Sequence, residues 1–405
     1  MSTVPVSSPS PPDQSARVPL LAVVAGIAVA NLYYAQPMAA MMAGSLGVSA
    51  AALGVALMLC QIGYALGMLV LVPLGDGRER RSLMVITALA SAVTLLLMAV
   101  APSYPVVAAL SLVLGFSSCL PQLAVPFAVG LVAPGQRGRA IGVVMGGLLT
   151  GILLSRTASG VLAGVVGWRV TFGMAAALMA LTAALIRLAL PPQRPSQPLP
   201  WGTILASLLG VVRTEPLLRR QAVVGALGFA SFSAFWSTLS FHVTRLGYGS
   251  KTAGLFGLVG VVGVVAAPIV GRVAGRVRPT LINQLGLAAM VVSFAVFAAG
   301  ANSLVVLGVG VVLLDAGSQS SHLANQTIIF GLNQTLRNRI NAIYMVSFFV
   351  GGALGTAAAA FVWERAGWTG VCVLGGALAA AGQLPLLRAR ERASRTETMA
   401  AQPRS

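Results

Sequence analysis

The chain has 405 residues, of which 57% are hydrophobic and only 8% are charged. A soluble domain carries roughly 25% charged residues because water has to meet a polar surface, so this composition excludes a soluble particle and points to an integral membrane protein. The net charge of +18 would suit nucleic acid, but the basic residues sit in short loops between apolar runs and not in an aromatic-interleaved patch, so no nucleic-acid partner is expected.

Residues 1–17 are Ser/Pro-rich, lack a cleavable signal pattern and read as a disordered cytoplasmic tail. Twelve apolar runs follow, each long enough for a helix to cross a hydrocarbon core roughly 30 Å thick. They lie near 19–41, 50–73, 82–101, 104–131, 140–165, 169–190, 219–243, 252–274, 280–300, 303–331, 340–363 and 367–388, and are numbered here as spans 1 to 12. The expected fold is all-α, with twelve transmembrane helices in two pseudo-symmetric six-helix bundles at 18–191 and 219–390. Between them, 192–218 is a linker stiffened by Pro192, Pro195, Pro198 and Pro200. Within it, Trp201–Val212 is too short to span and reads as an interfacial helix. Residues 391–405 form a basic tail, read as juxtamembrane charge.

With the N-terminus inside, 21 of the 26 Lys and Arg residues fall on the cytoplasmic side. The positive-inside rule then puts both termini in the cytoplasm. Cys60, Cys119 and Cys372 lie inside apolar runs and read as small buried residues, not as a disulfide framework.

The polar residues inside the spans are the candidates for function. In span 1, Asn31, Tyr34 and Gln36 sit near mid-depth and Pro37 permits a bend. Tyr33 and Tyr34 point to different faces, so at most one lines a cavity; Asn31 and Tyr34 are assigned to it, the alternative being hydrogen bonding between helices. In span 5, Arg156 lies roughly 14 Å from the outer end at 1.5 Å per residue. A guanidinium there must face protein or a wet cavity. It can pair with an acid, hold an anionic substrate group bidentately, or serve only as a structural partner of helix-end carbonyls.

Span 10 is apolar from Leu304 to Leu314. From there, polar groups recur at Asp315, Ser318/Gln319, His322 and Asn325/Gln326, the spacing of one helix face. Asp315 lies roughly 18 Å from the outer end, near the midplane. A carboxylate there costs about 2.5–3.5 kcal/mol on insertion scales, and a proton removes that cost, so Asp315 is the candidate proton carrier. The alternative is a permanently paired or protonated structural acid. Arg156, at a similar depth, is its candidate partner. His322, two turns further on, is a candidate proton relay, although a lone His is more often a satisfied hydrogen-bonding residue. No second His or Cys stands near it to make a metal site, and no cofactor is expected.

The two halves repeat at a shift of about 200 residues. Arg137-x-Arg139 recurs as Arg337-x-Arg339, Met145 as Met345, Gly151 as Gly351, and Gly167-Trp168 as Gly367-Trp368. Duplicated six-helix units with substrate at their interface are the build of a secondary transporter. No G-x-x-x-x-G-K-[ST] phosphate loop occurs, and Lys251 is the sole lysine, so an enzyme or nucleotide-driven pump is not expected.

The loop after span 2, Leu74-Gly75-Asp76-Gly77-Arg78-Glu79-Arg80-Arg81, resembles the loop signature G-x-L-a-D-R-x-G-R-+ of the major facilitator superfamily. It keeps Asp76, Arg80 and Arg81, with Val72 and Glu79 at the glycine positions. The loop after span 8 keeps Gly271 and Arg276, with Gly275 in place of the acid. Asp76, Arg80, Arg81, Gly271 and Arg276 are therefore candidates for a latch at the cytoplasmic helix ends, acting through charge pairing and helix dipoles; the alternative is that the arginines only hold the loop inside.

Asn31-Leu32-Tyr33-Tyr34-Ala35-Gln36-Pro37, the stretch from Leu314 to Gln326, and Arg337-x-Arg339-x-Asn341-x-x-Tyr344-Met345 resemble bacterial sugar-efflux and multidrug permeases of that superfamily. Span 5 keeps Gly138, Gly147 and Gly151 of the drug:proton antiporter motif, but Ile152 replaces its proline and Ser155-Arg156 its final glycine pair. The resemblance implies that spans 1, 4, 7 and 10 line the path. This adds Gln122, Ser231, Trp236, Gln319 and Asn325 to Asn31, Tyr34 and Gln36 as substrate-cavity candidates. It implies an inner-membrane carrier, working as a monomer, that exports a small organic compound in exchange for protons by alternating access. Proton-linked uptake, uncoupled diffusion, and a non-transporting sensor or assembly protein on the same scaffold are the alternatives.

Overall fold

A computed structural model describes residues 14–194, 201–260, 277–332 and 336–401. Among the described residues every regular element is helical. Lipid offers no hydrogen-bond partner to a backbone, so each crossing segment satisfies its own amides as a helix. The surface agrees with that solvent: Val165, Leu188, Val305 and Val373 are 77%, 84%, 77% and 68% exposed, an apolar exterior that water would not tolerate over such an area.

Span 1 is made of α1 (Val18–Ala30) and α2 (Ala35–Leu46), span 2 is α3 (Ala50–Gly77) and span 3 is α4 (Arg80–Ala99). Span 4 is α5 (Tyr104–Ser117) with α6 (Leu120–Gly130), and spans 5 and 6 run together as α7 (Arg137–Ala189). The linker holds α8 (Trp201–Thr214), span 7 is α9 (Pro216–Arg245), and α10 is the described part of span 8, residues 250–260. Span 9 is α11 (Pro279–Ala299), span 10 is α12 (Leu304–Phe330), and spans 11 and 12 run together as α13 (Arg337–Ala401). Of the tail expected at 1–17, residues 14–17 are structured: Ser15–Arg17 form a 3-10 turn, and Gln14 N–H donates to Leu131 C=O at 3.2 Å. The remainder of that tail, Pro195, Pro198, Pro200, Gly271 and Arg276 lie outside the described residues.

Spans 5 and 6, expected as separate runs, meet at one residue, Gly167 (φ 79°), and spans 11 and 12 meet likewise at Gly367 (φ 59°). A positive φ is open to glycine at little cost, so the chain reverses there without a loop. Gly47 (φ 65°) ends α2 and Gly247 (φ 87°) follows α9, each in the left-handed region that closes helix C-termini. These four positive-φ glycines form two pairs exactly one repeat apart in the sequence, 47 with 247 and 167 with 367.

The duplication also sets the packing. Within the first half, α7 lies on α1 with Gly151 against the Gly26 carbonyl; within the second, α13 lies on α9 with Gly351 against the Ala226 carbonyl. Between the halves, Gly54 of α3 meets Ala360 of α13, and Gly254 of α10 meets Gly160 of α7. Small residues allow such approaches where no water drives helices together. At the centre, Ser240 Oγ donates to Pro37 C=O (2.9 Å) and accepts from Ala40 N–H (3.2 Å), so positions 40 and 240, one repeat apart, touch. Ala51 N–H donates to Glu364 Oε1 at 2.7 Å, and Thr157 Oγ1 donates to Gly254 C=O at 3.0 Å. These contacts lie toward the face away from the N-terminus and the linker, so the two halves are joined there.

Candidate functional site

Two proline-induced breaks shape the first half of the site. Pro37 has no N–H to give to Tyr33 C=O, four residues earlier. That carbonyl instead accepts from Gln36 N–H (3.2 Å), Tyr33 N–H reaches Ala30 C=O (2.9 Å), and the chain tightens into a turn over residues 31–34. In span 4, Ser118 N–H is shared between Leu114 and Gly115 carbonyls just before Pro121, and α5 gives way to α6. Asn31 Nδ2 donates to Ser118 Oγ (3.3 Å), tying one break to the other. Spans 7 and 10 carry no such interruption: α9 and α12 are continuous.

Arg156 comes in from α7 and is 1% exposed. Its Nε donates to Gln36 Oε1 at 2.9 Å. Its guanidinium carbon stands 4.1 Å from the Trp236 ring centroid, 4.7 Å from Tyr33 and 5.5 Å from Phe232. Aromatic faces attract such a cation electrostatically, more strongly out of water. Nη2 is buried and has no hydrogen-bond partner.

Asp315, on α12, is 2% exposed. Its Oδ1 accepts the Trp236 indole N–H at 3.2 Å, and its Oδ2 lies against Gly260 of α10, where any Cβ would collide with it. No ion pair within 4.0 Å joins Arg156 to Asp315. They are neighbours through Trp236, which offers its face to the cation and its N–H to the acid. Gln36 and Trp236, the two side chains that engage Arg156 most closely, are themselves one repeat apart. The charges are not: Arg156 stands where the second half has Thr356, and Asp315 where the first half has Gly115.

A narrow cavity, closed to a water-sized molecule in this state, borders this cluster, lined by Gln36, Pro37, Arg156, Trp236, Leu239, Ser240 and Ala253. A second, with about 10 Å³ of room, lies along the same stripe of α12, bordered by Gly228, Phe229, Ser318, His322, Asn325 and Tyr344 among others. There His322 Nδ1 is 3.0 Å from Tyr344 Oη. Asn283 Nδ2 donates to Asn325 Oδ1 (2.8 Å), and Ser321 Oγ donates to Asn283 Oδ1 (2.6 Å).

The comparisons with known proteins fit this architecture. The Major Facilitator Superfamily model matches residues 21–332. The chain belongs to the major facilitator superfamily. The uncharacterized transporter YgaY of Escherichia coli O157:H7 is 36% identical over 366 residues, 90% of this chain and 93% of the relative. A Streptomyces coelicolor protein named as probable transporter SCO4007 is 32% identical over 376 residues, 92% and 87% of the two chains. Among solved structures, the nucleoside transporter NupG superposes with a TM-score of 0.78 at 13% identity, covering 92% of this chain and 99% of that one. A bacterial homologue of the lysosomal transporter Spinster, inward-facing and occupied, gives 0.70 at 15% identity, covering 93% of each chain. The protein is thus a multi-pass membrane transporter on the facilitator fold.

On that facilitator frame, Gln36, Arg156 and Trp236 come together at the first cavity, and Asp315 joins them through the Trp236 N–H. The tyrosine that meets Arg156 is Tyr33, while Tyr34, assigned to the cavity from the sequence, is buried and borders neither of these cavities. His322 and Asn325 border the second cavity. Gln122 Nε2 donates to Tyr64 Oη (3.2 Å), and half-buried Gln319 borders neither cavity. Ser231 is fully buried and donates to Gly375 C=O (2.8 Å), so it packs span 7 on span 12 and does not face the cavities.

Arg80 binds Gly75 C=O (3.1 Å) and Gln193 Oε1 (3.5 Å), and Arg81 reaches Glu79 (3.3 Å) and Leu190 C=O (3.2 Å). These contacts tie the loop after span 2 to the end of span 6, inside the first half. The Asp76 side chain, Gly271 and Arg276 lie outside the described residues. Sequence reasoning missed Phe232 and the run Gly254-x-x-Gly257-x-x-Gly260, whose three-residue spacing puts bare backbone along one face of α10 beside Leu153, Arg156 and Asp315.

Proposed function

We propose that this transporter is driven by protons and moves a small organic compound by alternating access, with Asp315 as the proton site. The observation that supports it is the buried trio itself: an acid and a cation held between the halves, coupled through one indole and not locked in an ion pair. A buried acid in a membrane is costly when charged, so gaining a proton changes the balance between states that place it differently. Export in exchange for protons is the direction to which the sequence resemblance points. The unpartnered Nη2 of Arg156, open to an anionic group, favours a second reading, in which proton and compound travel together.

Reconstitution into vesicles tests both. A ligand is first found by its stabilisation of the purified protein, and its movement is then followed under an imposed pH gradient. Wild type should respond to the gradient, and Asp315→Asn should carry the ligand only down its own gradient. Unchanged proton coupling in Asp315→Asn would remove Asp315 from the role. The sign of the pH change inside the vesicles as ligand enters separates exchange from co-transport.

A further inference from the structure

Resting on that reading of the cluster as the transport site, we propose that Arg156 seats a carboxylate or similarly flat anionic group of the transported compound, whose body is aromatic or apolar. Arg156 has five N–H donors in a rigid fork. Nε is taken by Gln36 at 2.9 Å, while Nη2 is buried and unpartnered. Leaving a charged donor unsatisfied in a buried place is costly, and a carboxylate at that edge of the fork relieves it with strong, directional bonds.

Asp315 does not fill this role: Oδ1 takes the Trp236 N–H at 3.2 Å and Oδ2 faces Gly260, with no contact to Arg156 within 4.0 Å. The narrow cavity that Arg156 borders is lined otherwise by Gln36, Pro37, Trp236, Leu239, Ser240 and Ala253, so among the described residues Arg156 is the single charged group on a mostly apolar wall. Such a wall repels a cationic ligand, offers a neutral one no countercharge, and suits an anion attached to an apolar body.

The seat also sets the coupling. The titratable groups facing Arg156 are Asp315 from α12 and Tyr33 from the turn between α1 and α2, with Cys60 of α3 behind Tyr33. An anion on Arg156 and an ionised Asp315 would share one positive charge, so the anion binds best when Asp315 holds a proton. Compound and proton are then loaded together, and the compound crosses as its net acid.

The test uses the full-length protein purified in detergent and reads thermal unfolding with benzoate, benzamide and benzylamine, and with indole-3-acetate against indole-3-acetamide. At least one of the two acids should raise the unfolding midpoint, increasingly so as pH falls, and its uncharged or cationic counterparts should not. Arg156→Lys, which keeps the charge but loses the fork, should weaken acid binding about tenfold or more, and Arg156→Gln should abolish it. If Arg156→Gln does not fold, Arg156→Lys carries the comparison.

Equal stabilisation by the amides or the amine, undiminished acid binding in Arg156→Lys, or no shift from either acid would overturn the proposal. Asp315→Asn keeps the two readings apart. It should retain acid binding and lose its pH dependence. Acid binding that is already independent of pH in wild type would leave the anion seat standing and remove Asp315 as its proton partner.

Discussion

Trp236 combines two functions that chemistry can separate. Its ring faces Arg156 at 4.1 Å, and its N–H holds Asp315 at 3.2 Å. Trp236→Phe keeps an aromatic face and deletes the donor. A hydrogen bond to a charged group contributes about 1.5–3 kcal/mol, so the substitution should destabilise the protein by about that amount in thermal or denaturant unfolding. In an Asp315→Leu background, which has no carboxylate to bond, the same change should cost clearly less, with a coupling of at least ~0.5 kcal/mol in the double-mutant cycle. Equal costs in both backgrounds would mean that the indole N–H does not act on Asp315.

Asp315 and Arg156 were legible as candidates in the sequence because a charge in an apolar run is conspicuous and costly. Trp236 as the link between them was not, and neither was the choice of Tyr33 over Tyr34. Adjacent residues point to different sides of a helix, and which side faces the arginine depends on how the helix is rotated against its neighbours.

At the level of elements, close helix crossings in this protein are made by particular glycines and not by glycine in general. A side chain at Gly151 would run into the Gly26 carbonyl, and one at Gly351 into the Ala226 carbonyl. Backbone cannot move aside as a side-chain tip can, so Gly151→Leu and Gly351→Leu should each destabilise by about 1–3 kcal/mol or more, seen as lower yield and earlier unfolding. Gly142 and Gly146, on the same helix as Gly151, have nothing within 4 Å of an added Cβ. Gly142→Ala and Gly146→Ala should be neutral or stabilising by up to about 1 kcal/mol. The recurrence of Gly151 as Gly351 made that pair visible beforehand. The breaks in spans 1 and 4 were less so: Pro37 announced a bend, but its union with the Ser118 break through Asn31 is a contact 87 residues apart in sequence.

For the whole molecule, the two halves join near a pseudo-two-fold axis where Ala40 meets Ser240. The proposed alternating access requires that this junction open, so a bond across it should hold the carrier in one state. The native Cys60, Cys119 and Cys372 are buried and free, which leaves engineered thiols as the reactive pair. Oxidation of an Ala40→Cys, Ser240→Cys double variant should stop transport, and reduction should restore it. Full transport by the cross-linked protein would show that the junction does not part during the cycle.

Composition, span count and the 200-residue repeat were decided by the sequence alone, because lipid imposes length and apolarity on each helix independently of the others. The recurrence of Gly167-Trp168 as Gly367-Trp368, where both glycines take a positive φ, belongs with these, since a duplicated chain repeats its backbone constraints. The candidate cluster was decided only by the tertiary structure. Its charges sit where the duplication has diverged, at Arg156 against Thr356 and Asp315 against Gly115, and their meeting through Trp236 depends on three helices from two halves packed at fixed rotation. That rotation is set by glycine-to-backbone contacts between distant segments, and no local pattern in the sequence encodes it.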